Sequence, residues 1–149
     1  MKIIKLIILF CALTCIACKS NDEDGGKKYV TLDNGYITLK MGETGILMNG
    51  NDSIKMSITD VSDLRCPKST CYLCYGSEAH VSLSIMDSQN KKAVFNLSVI
   101  GCVDELDNDT GYDIDTLGYK FRMVKLSPYP DTEVINKNDY SAKIKITKL

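Results

Sequence analysis

Apolar and polar residues alternate along most of this chain, and this alternation is the feature that most constrains its fold. Apolar side chains take every second position in residues 37–41, 54–58, 79–85, 95–99 and 140–146. Successive side chains of a β-strand point to opposite faces, so the pattern predicts strands with one buried face and one face in water. Sheets that are wetted on one side are typically antiparallel. The sequence therefore predicts an all-β fold.

One segment changes the phase of the alternation. Between residues 119 and 126 the apolar positions are Tyr119, Phe121 and Met123, followed by Val124 and Leu126. A slip of one residue inside a strand is the mark of a β-bulge, in which two residues oppose one on the neighbouring strand. We therefore expect a bulge in this strand.

Turn-forming residues separate the alternating segments. Gly, Asn, Asp, Ser and Pro cluster in residues 33–35, 48–52, 87–90 and 127–131. About seven or eight short strands separated in this way predict a single antiparallel β-sandwich or a partly open barrel. No segment shows a long helical period, and we expect at most one short helical turn, in residues 134–139.

Composition limits the classes of protein to consider. The chain has 149 residues, with 44% hydrophobic and 25% charged residues, values typical of one folded domain. Its formal net charge is -1. Nucleic-acid binding needs an excess of basic residues to displace counterions from phosphates, so we expect no nucleic-acid partner.

The first residues are predicted to form a targeting signal rather than part of the folded domain. An apolar run over residues 6–17 follows a basic start, and it is shorter than the roughly 20 residues that a membrane-spanning helix needs. A run of this length is typical of a signal peptide. It ends with Ala17-Cys18, which resembles a bacterial lipobox. The resemblance implies a signal peptide over residues 1–17 and acyl chains such as palmitate on Cys18; the alternative is cleavage without lipid.

A polar segment follows the lipobox. Residues 18–28 are first acidic and then rich in glycine, and apolar residues are absent after Cys18. Such a segment buries too little surface to fold, so we expect a flexible tether before a β domain over residues 29–149. The acidic cluster at residues 22–24 resembles the surface-export signal of Bacteroidetes lipoproteins. It implies an outer-membrane lipoprotein that is exposed at the cell surface and held to the membrane by its lipid; the alternative faces the periplasm.

Four cysteines belong to the predicted β domain: Cys66, Cys71, Cys74 and Cys102. An exported protein enters an oxidising compartment, where disulfides persist, so two disulfides are the first interpretation. Four cysteines allow three pairings. Two alternatives stay open, a zinc site of four thiolates and a redox pair formed by Cys71 and Cys74.

The cysteine region also resembles a family. Residues 63–67 read DLRCP, and Cys71, Gly76 and the Glu78-Ala79 pair follow before an alternating strand. This run resembles the signature of small, uncharacterised Bacteroidetes lipoproteins, and residues 126–130 and 139–140 are similar to the end of the same family. Leu64 stands where the family usually has Ser. The resemblance implies no activity, but it implies that Cys66 pairs with Cys71, which leaves Cys74 to pair with Cys102.

An acidic segment over residues 104–115 offers oxygen ligands. Asp107, Asp109 and Asp113 are candidate calcium ligands, because calcium is bound by carboxylate and carbonyl oxygens. The spacing does not follow the EF-hand pattern, and the alternative is a solvated loop. We expect no other metal and no cofactor.

The sequence suggests binding rather than catalysis. His80 is the single histidine, it lies on the polar face of a strand, and no nucleophile motif accompanies it, so we name no catalytic residue. Tyr72, Leu73 and Tyr75 form a candidate recognition patch beside the cysteines; their alternative role is to cover the edge of the core.

We therefore expect a monomeric, lipid-anchored protein of the cell envelope, a non-catalytic binding or structural module for a protein or glycan partner. The alternative function is inhibition of an exogenous hydrolase such as a protease or lysozyme.

Overall fold

A computed structural model describes residues 27–31, 35–73, 78–101, 112–130 and 135–149. Within these residues the chain forms nine strands, so the prediction of an all-β fold is confirmed. The strands are β1 (Lys27–Thr31), β2 (Tyr36–Lys40), β3 (Thr44–Asn49), β4 (Asp52–Asp63), β5 (Glu78–Asp87), β6 (Lys92–Ile100), β7 (Ile114–Thr116), β8 (Tyr119–Ser127) and β9 (Ser141–Lys148).

The strands form two sheets that pack face to face. One has five strands in the order β1-β3-β4-β5-β6, and the other has four in the order β2-β9-β8-β7. Every pairing is antiparallel except that of β1 with β3. Of the two predicted architectures, the described strands match the sandwich, and they do not close into a barrel.

Three of the nine described strands, β1, β3 and β7, do not correspond to alternating segments of the sequence. β7 has only three residues, and the sequences of β1 (KKYVT) and β3 (TGILMN) do not alternate. Because β1 begins at Lys27, Lys27 and Lys28 lie in a strand, whereas the sequence assigned them to the tether. Two 3₁₀ helices span Lys68–Leu73 and Lys137–Asp139, and the second falls where a helical turn was expected.

The core fills the space between the two sheets. Most of its side chains come from the alternating positions that the sequence identified, and Leu47 and Val61 are additional members. The largest of those that are fully buried include Phe121, Leu39, Met56, Ile58, Leu83 and Leu97. Burying a side chain of this size contributes roughly 1.5–3 kcal/mol. Gly45 faces the same layer, where a Cβ atom would collide with the tips of Ile37 and Leu39. The sheets therefore approach each other closely at β3.

The bulge predicted in β8 is confirmed. The register with β9 shifts between Met123 and Lys125, so Val124 is the additional residue. As a result Leu126 returns to the core after the bulge and is fully buried.

A second bulge, in β4, decides which side chains enter the core near the end of that strand. The register with β5 shifts between Ile58 and Asp60, which makes Thr59 the additional residue. Since one extra residue moves all later side chains to the opposite face, Asp63 and Arg65 point inward and Leu64 points outward. Leu64 is 66% exposed, whereas Arg65 is buried and the side chain of Asp63 is 2% exposed.

No helix among the described residues is both long and apolar enough to cross a membrane.

Candidate functional site

The outer faces of the two sheets differ in chemistry. The five-stranded sheet presents a mixture of hydroxyl groups such as that of Ser84, exposed apolar side chains such as Val94 and Ile100, and the cations Lys55 and Lys92. The four-stranded sheet presents cations, and we call this surface the basic face. It consists of Tyr36, Asp113, Lys120, Arg122, Lys125, Lys143 and Lys145.

Alternation along β8 and β9 produces the basic face. Phe121, Met123 and Ile144 point into the core and are fully buried. The residues between them in the sequence therefore point outward, and these include Lys120, Arg122, Lys143 and Lys145. The bulge at Val124 keeps Lys125 on the same outer face as Arg122.

The strand register places like charges directly opposite one another. Arg122 is the partner of Lys145, and Lys125 is the partner of Lys143. Like charges at directly opposite positions destabilise a sheet, by roughly the 0.2–1 kcal/mol that cross-strand pairs of opposite charge contribute. The folded protein holds two such pairs side by side.

Asp113 lies at one end of the basic face and contacts two of its cations. Arg122 donates hydrogen bonds from Nε to Oδ1 and from Nη2 to Oδ2 of Asp113, the second at 2.9 Å, and Lys120 Nζ lies 3.5 Å from Oδ2. The hydrogen bonds from Arg122 are the main cause of a lowered pKa of the Asp113 carboxyl. Asp113 therefore stays ionised and neutralises part of the face.

Tyr36 borders the opposite side of the basic face, on β2. The Nζ atoms of Lys143 and Lys145 lie 5.2 Å and 5.9 Å from the centroid of its ring. At these distances the ring attracts both ammonium groups through a cation–π interaction. Tyr36 is 40% exposed, so part of the ring is accessible to a ligand.

A shallow depression lies between Asp113 and β9. Asp113, Lys120, Arg122, Lys145 and Thr147 line it. Outward side chains recur about every 7 Å along a strand and about every 4.8 Å across neighbouring strands, so this surface offers charged groups on a regular grid.

A second cluster of charged groups lies inside the protein, at the end of β4. Arg65 donates from Nε and Nη2 to the two carboxylate oxygens of Asp63, at 2.8 Å and 2.7 Å. Its Nη1 and Nη2 groups also donate to the carbonyl oxygens of Leu126 and Pro128, at 3.1 Å and 3.2 Å. The guanidinium group lies 4.6 Å from the centroid of the Tyr129 ring.

Two tyrosines extend this buried cluster. The Tyr129 hydroxyl donates to the carbonyl oxygen of Cys66 at 3.0 Å, and the hydroxyl of Tyr140 hydrogen-bonds to the side chain of Asp63. Burial, followed by the nearby charge of Asp63, raises the pKa of Tyr140 to about 12. These contacts join the segments that carry the sequence signature. They hold the start of the cysteine loop, the segment between β4 and β5 that contains Cys66 and Cys71, against the end of β8.

The predicted cysteines and the lipid site are described in part. Cys66 and Cys71 are both disulfide-bonded. Cys18, Cys74 and Cys102 lie outside the described residues, so the predicted pairing stays a prediction. Tyr72 and Leu73 belong to the first 3₁₀ helix, and Tyr75, like the side chains of these two, lies outside the described part.

Of the three predicted calcium ligands, one is described by the structure and two are not. Asp107 and Asp109 lie outside the described residues, whereas Asp113 belongs to the basic face. Among the described residues no group of three or more His, Cys, Asp and Glu side chains is arranged to hold a metal ion.

His80 has partners that the sequence analysis did not identify. Its Nδ1 atom lies 2.7 Å from Ser98 Oγ, and its Nε2 atom lies 3.1 Å from Glu78 Oε1. A carboxylate, an imidazole and a hydroxyl follow one another here as they do in a hydrolase triad. This order follows from strand geometry, because Glu78 precedes His80 by two residues and Ser98 is the cross-strand partner of His80. The three side chains stand side by side on an open sheet face, and we assign them no catalytic role.

Comparison of the chain with family models, with curated proteins and with solved structures finds no match. The function is therefore inferred from the chemistry of the site.

Proposed function

We propose that this protein is a lipid-anchored β-sandwich of the bacterial cell envelope and a non-catalytic binding module. Its binding surface is the basic face, and its partner is anionic. Acyl chains on Cys18 attach the protein to the outer membrane, the acidic tether separates the domain from the bilayer, and disulfides brace the loop between β4 and β5.

One observation carries the proposal: like charges oppose each other in two adjacent cross-strand pairs, Arg122 with Lys145 and Lys125 with Lys143. Asp113 offsets the charge of Arg122, and the cations together still leave this face with an excess of positive charge. An anion that lies across both pairs is attracted by this excess and reduces the repulsion between the opposed cations. The chain as a whole has a net charge of -1, and the concentration of cations on one face gives it a local positive potential that attracts such a partner.

The binding surface is tested with two charge-matched double variants of the lipidated protein, purified in detergent. Lys125→Gln with Lys143→Gln removes two cations from the basic face. Lys55→Gln with Lys92→Gln removes two from the outer face of the other sheet. We expect the first variant to leave a heparin column at clearly lower salt than the wild type and the second to elute close to it. Equal elution of the two variants would contradict the proposal.

The lipid anchor is tested separately, in cells. Cys18→Ser is expected to abolish labelling by a fatty-acid analogue and to release the protein from the membrane fraction, because buried methylenes supply about 0.8 kcal/mol each. Cys15→Ser serves as the matched control and is expected to keep the label. A Cys18→Ser protein that stays labelled would contradict the anchor.

A second candidate function is inhibition of an exogenous hydrolase, and the position of Leu64 favours it. This side chain is 66% exposed, while Asp63 and Arg65 on either side of it are held by the buried ion pair. A rigid apolar side chain beside a disulfide-bonded cysteine is suited to fill an apolar pocket of an enzyme. Inhibition of a protease or lysozyme that Leu64→Asp abolishes would support this function; failure to inhibit a broad panel of both would exclude it.

A further inference from the structure

We infer that the ligand of the basic face is an acidic polysaccharide, a linear glycan whose carboxylates alternate with hydroxyl groups. The inference rests on the proposed function and names the class of partner for the same surface. Three features of the face support it: the grid of cations, the carboxylate and hydroxyl groups among them, and the exposed ring at its border.

The cations match a ligand with repeated, separated charges. Arg122 and Lys125 on β8 face Lys145 and Lys143 on β9. The spacing of about 4.8 Å across strands and about 7 Å along them distributes positive charge over an extended surface rather than at one point. A single small anion contacts one or two of these groups, whereas a polymer lying along the strands contacts all of them.

The groups among the cations favour a polymer that also carries hydroxyl groups. Asp113 and Thr147 line the same depression as Lys120, Arg122 and Lys145. The lowered pKa keeps Asp113 negatively charged, so it accepts hydrogen bonds from sugar hydroxyls but gains nothing from a polymer, such as polyphosphate, whose repeating unit has only anionic oxygens. A polyuronate supplies carboxylates for the cations and hydroxyls for Asp113 and Thr147.

The ring of Tyr36 adds a surface on which a sugar can stack. It borders the face on β2, directly across from Lys145, and is partly exposed. The apolar C–H side of a pyranose packs on an aromatic ring, and the ammonium groups of Lys143 and Lys145 beside this ring lie within reach of a carboxylate on the same sugar.

Other anionic polymers fit the face less well. The cations at the depression are partly sunken, with the side chains of Arg122 and Lys120 23% and 39% exposed, whereas contact with a bilayer surface favours protruding groups. The backbones of DNA and polyphosphate have no hydroxyl groups to donate to the carboxylate of Asp113, or to that of Asp115, which lies on β7 opposite Lys120.

The experiment measures the affinity of the lipidated protein in detergent for four probes. These are polygalacturonate, the same polymer with its carboxyls methyl-esterified, inorganic polyphosphate, and vesicles of phosphatidylcholine with phosphatidylglycerol. We expect binding to polygalacturonate and an affinity at least about tenfold lower for the esterified polymer, because complementary charge is lost.

Variants connect the binding to the face. Lys143→Gln and Tyr36→Ala are each expected to lower the affinity for polygalacturonate by about tenfold, while Tyr36→Phe, which keeps the ring, and the control Lys55→Gln are expected to leave it within about twofold. A melting curve for each variant checks that it is folded.

The outcomes separate this inference from the proposed function. Tight binding of polyphosphate or vesicles through the basic face, without binding of polygalacturonate, overturns the inference and leaves the proposed function standing. Failure of all four probes, or binding that Lys143→Gln does not change, overturns both.

Discussion

The carboxylate of Asp63 and the guanidinium of Arg65, two residues apart at the end of β4, form a two-point ion pair that is closed to solvent, with side-chain exposures of 2% and 0%. Such a pair is tolerated inside a protein when the remaining donors are also satisfied. Here the remaining donors reach two carbonyl oxygens at the end of β8. The pair therefore fastens one sheet to the other at the point where the cysteine loop begins.

Replacing Arg65 tests this interpretation. Arg65→Met leaves the Asp63 carboxylate buried without its cation, and breaking a buried pair in this way costs about 3–5 kcal/mol of unfolding free energy. Arg65→Lys is expected to fall between this variant and the wild type, because an ammonium keeps the charge but not the two-point geometry. Chemical denaturation measures the loss.

The matched control is Lys137→Ala. Lys137 Nζ lies 2.7 Å from Asp60 Oδ1, a distance equal to the shorter contact of the buried pair, but both side chains are more than half exposed. Exposed pairs of this kind contribute little to stability. If Lys137→Ala destabilises the protein as much as Arg65→Met, burial is not what makes the Asp63–Arg65 pair important.

Tyr140 gives the buried cluster a dependence on alkaline pH. Because its pKa is raised to about 12 in the folded protein from an ordinary value of 10.0, the folded state keeps the hydroxyl proton that the unfolded state releases. The stability contributed by the neutral tyrosine is full below pH 10 and is lost as the pH rises to about 12.

Alkaline unfolding measured at a series of pH values checks this prediction. Tyr140→Phe is expected to lose less stability than the wild type over this pH range, because it has no proton to release. Tyr29→Phe, at an exposed position, is the control and is expected to follow the wild type. Parallel curves for the wild type and Tyr140→Phe would contradict the prediction.

The alternation that predicts the strands is local, and for this reason most of the fold can be predicted from the sequence. The bulge in β8 is also legible, because Met123 and Val124 are adjacent apolar residues. The bulge in β4 also changes the phase of the apolar positions, since Ile58 and Val61 are three residues apart. Because the two residues between them are polar, this change of phase is not recognisable from the sequence. Without it, Arg65 is predicted on the wrong face.

The basic face depends on register, which the sequence does not show. The alternating Lys143 and Lys145 are visible within one predicted strand, as is Arg122 within another. That these residues oppose each other, with Tyr36 beside them, follows only from the pairing of β2, β9 and β8. The partnership of His80 with Ser98 was missed for the same reason.

Adding a side chain at Gly45 is predicted to destabilise the core. A Cβ atom there would lie 2.7 Å from Leu39 Cδ2 and 3.3 Å from Met56 Cγ, and would overlap Ile37 Cδ1. Overpacking a core in this way costs typically about 1–3 kcal/mol, so Gly45→Ala is expected to lower the unfolding free energy by this amount. Thr44→Ala, at the neighbouring outward position, is the control. A Gly45→Ala protein as stable as the wild type would show that β2 and β3 can separate without cost.

The strand ends that border the cysteine-containing segments lie close to one another. The amide of Leu64 donates to the carbonyl of Glu78 at 2.8 Å, and Glu78 is the register partner of Ile100. The end of β4, the start of β5 and the end of β6 therefore lie together. In the sequence, Cys66 follows β4, Cys71 and Cys74 precede β5, and Cys102 follows β6.

The resemblance to the lipoprotein family implies the pairs Cys66–Cys71 and Cys74–Cys102, and we expect them to contribute unequally. The first closes a loop of about six residues and the second a loop of about 29, for which chain entropy gives roughly 2 and roughly 3.5 kcal/mol. Replacing Cys74 and Cys102 together by Ala is therefore expected to lower the melting temperature more than replacing Cys66 and Cys71. Peptide mapping without reduction decides the pairing. A peptide that joins Cys102 to Cys66 or Cys71 would exclude this connectivity, and equal thermal losses would exclude the ranking.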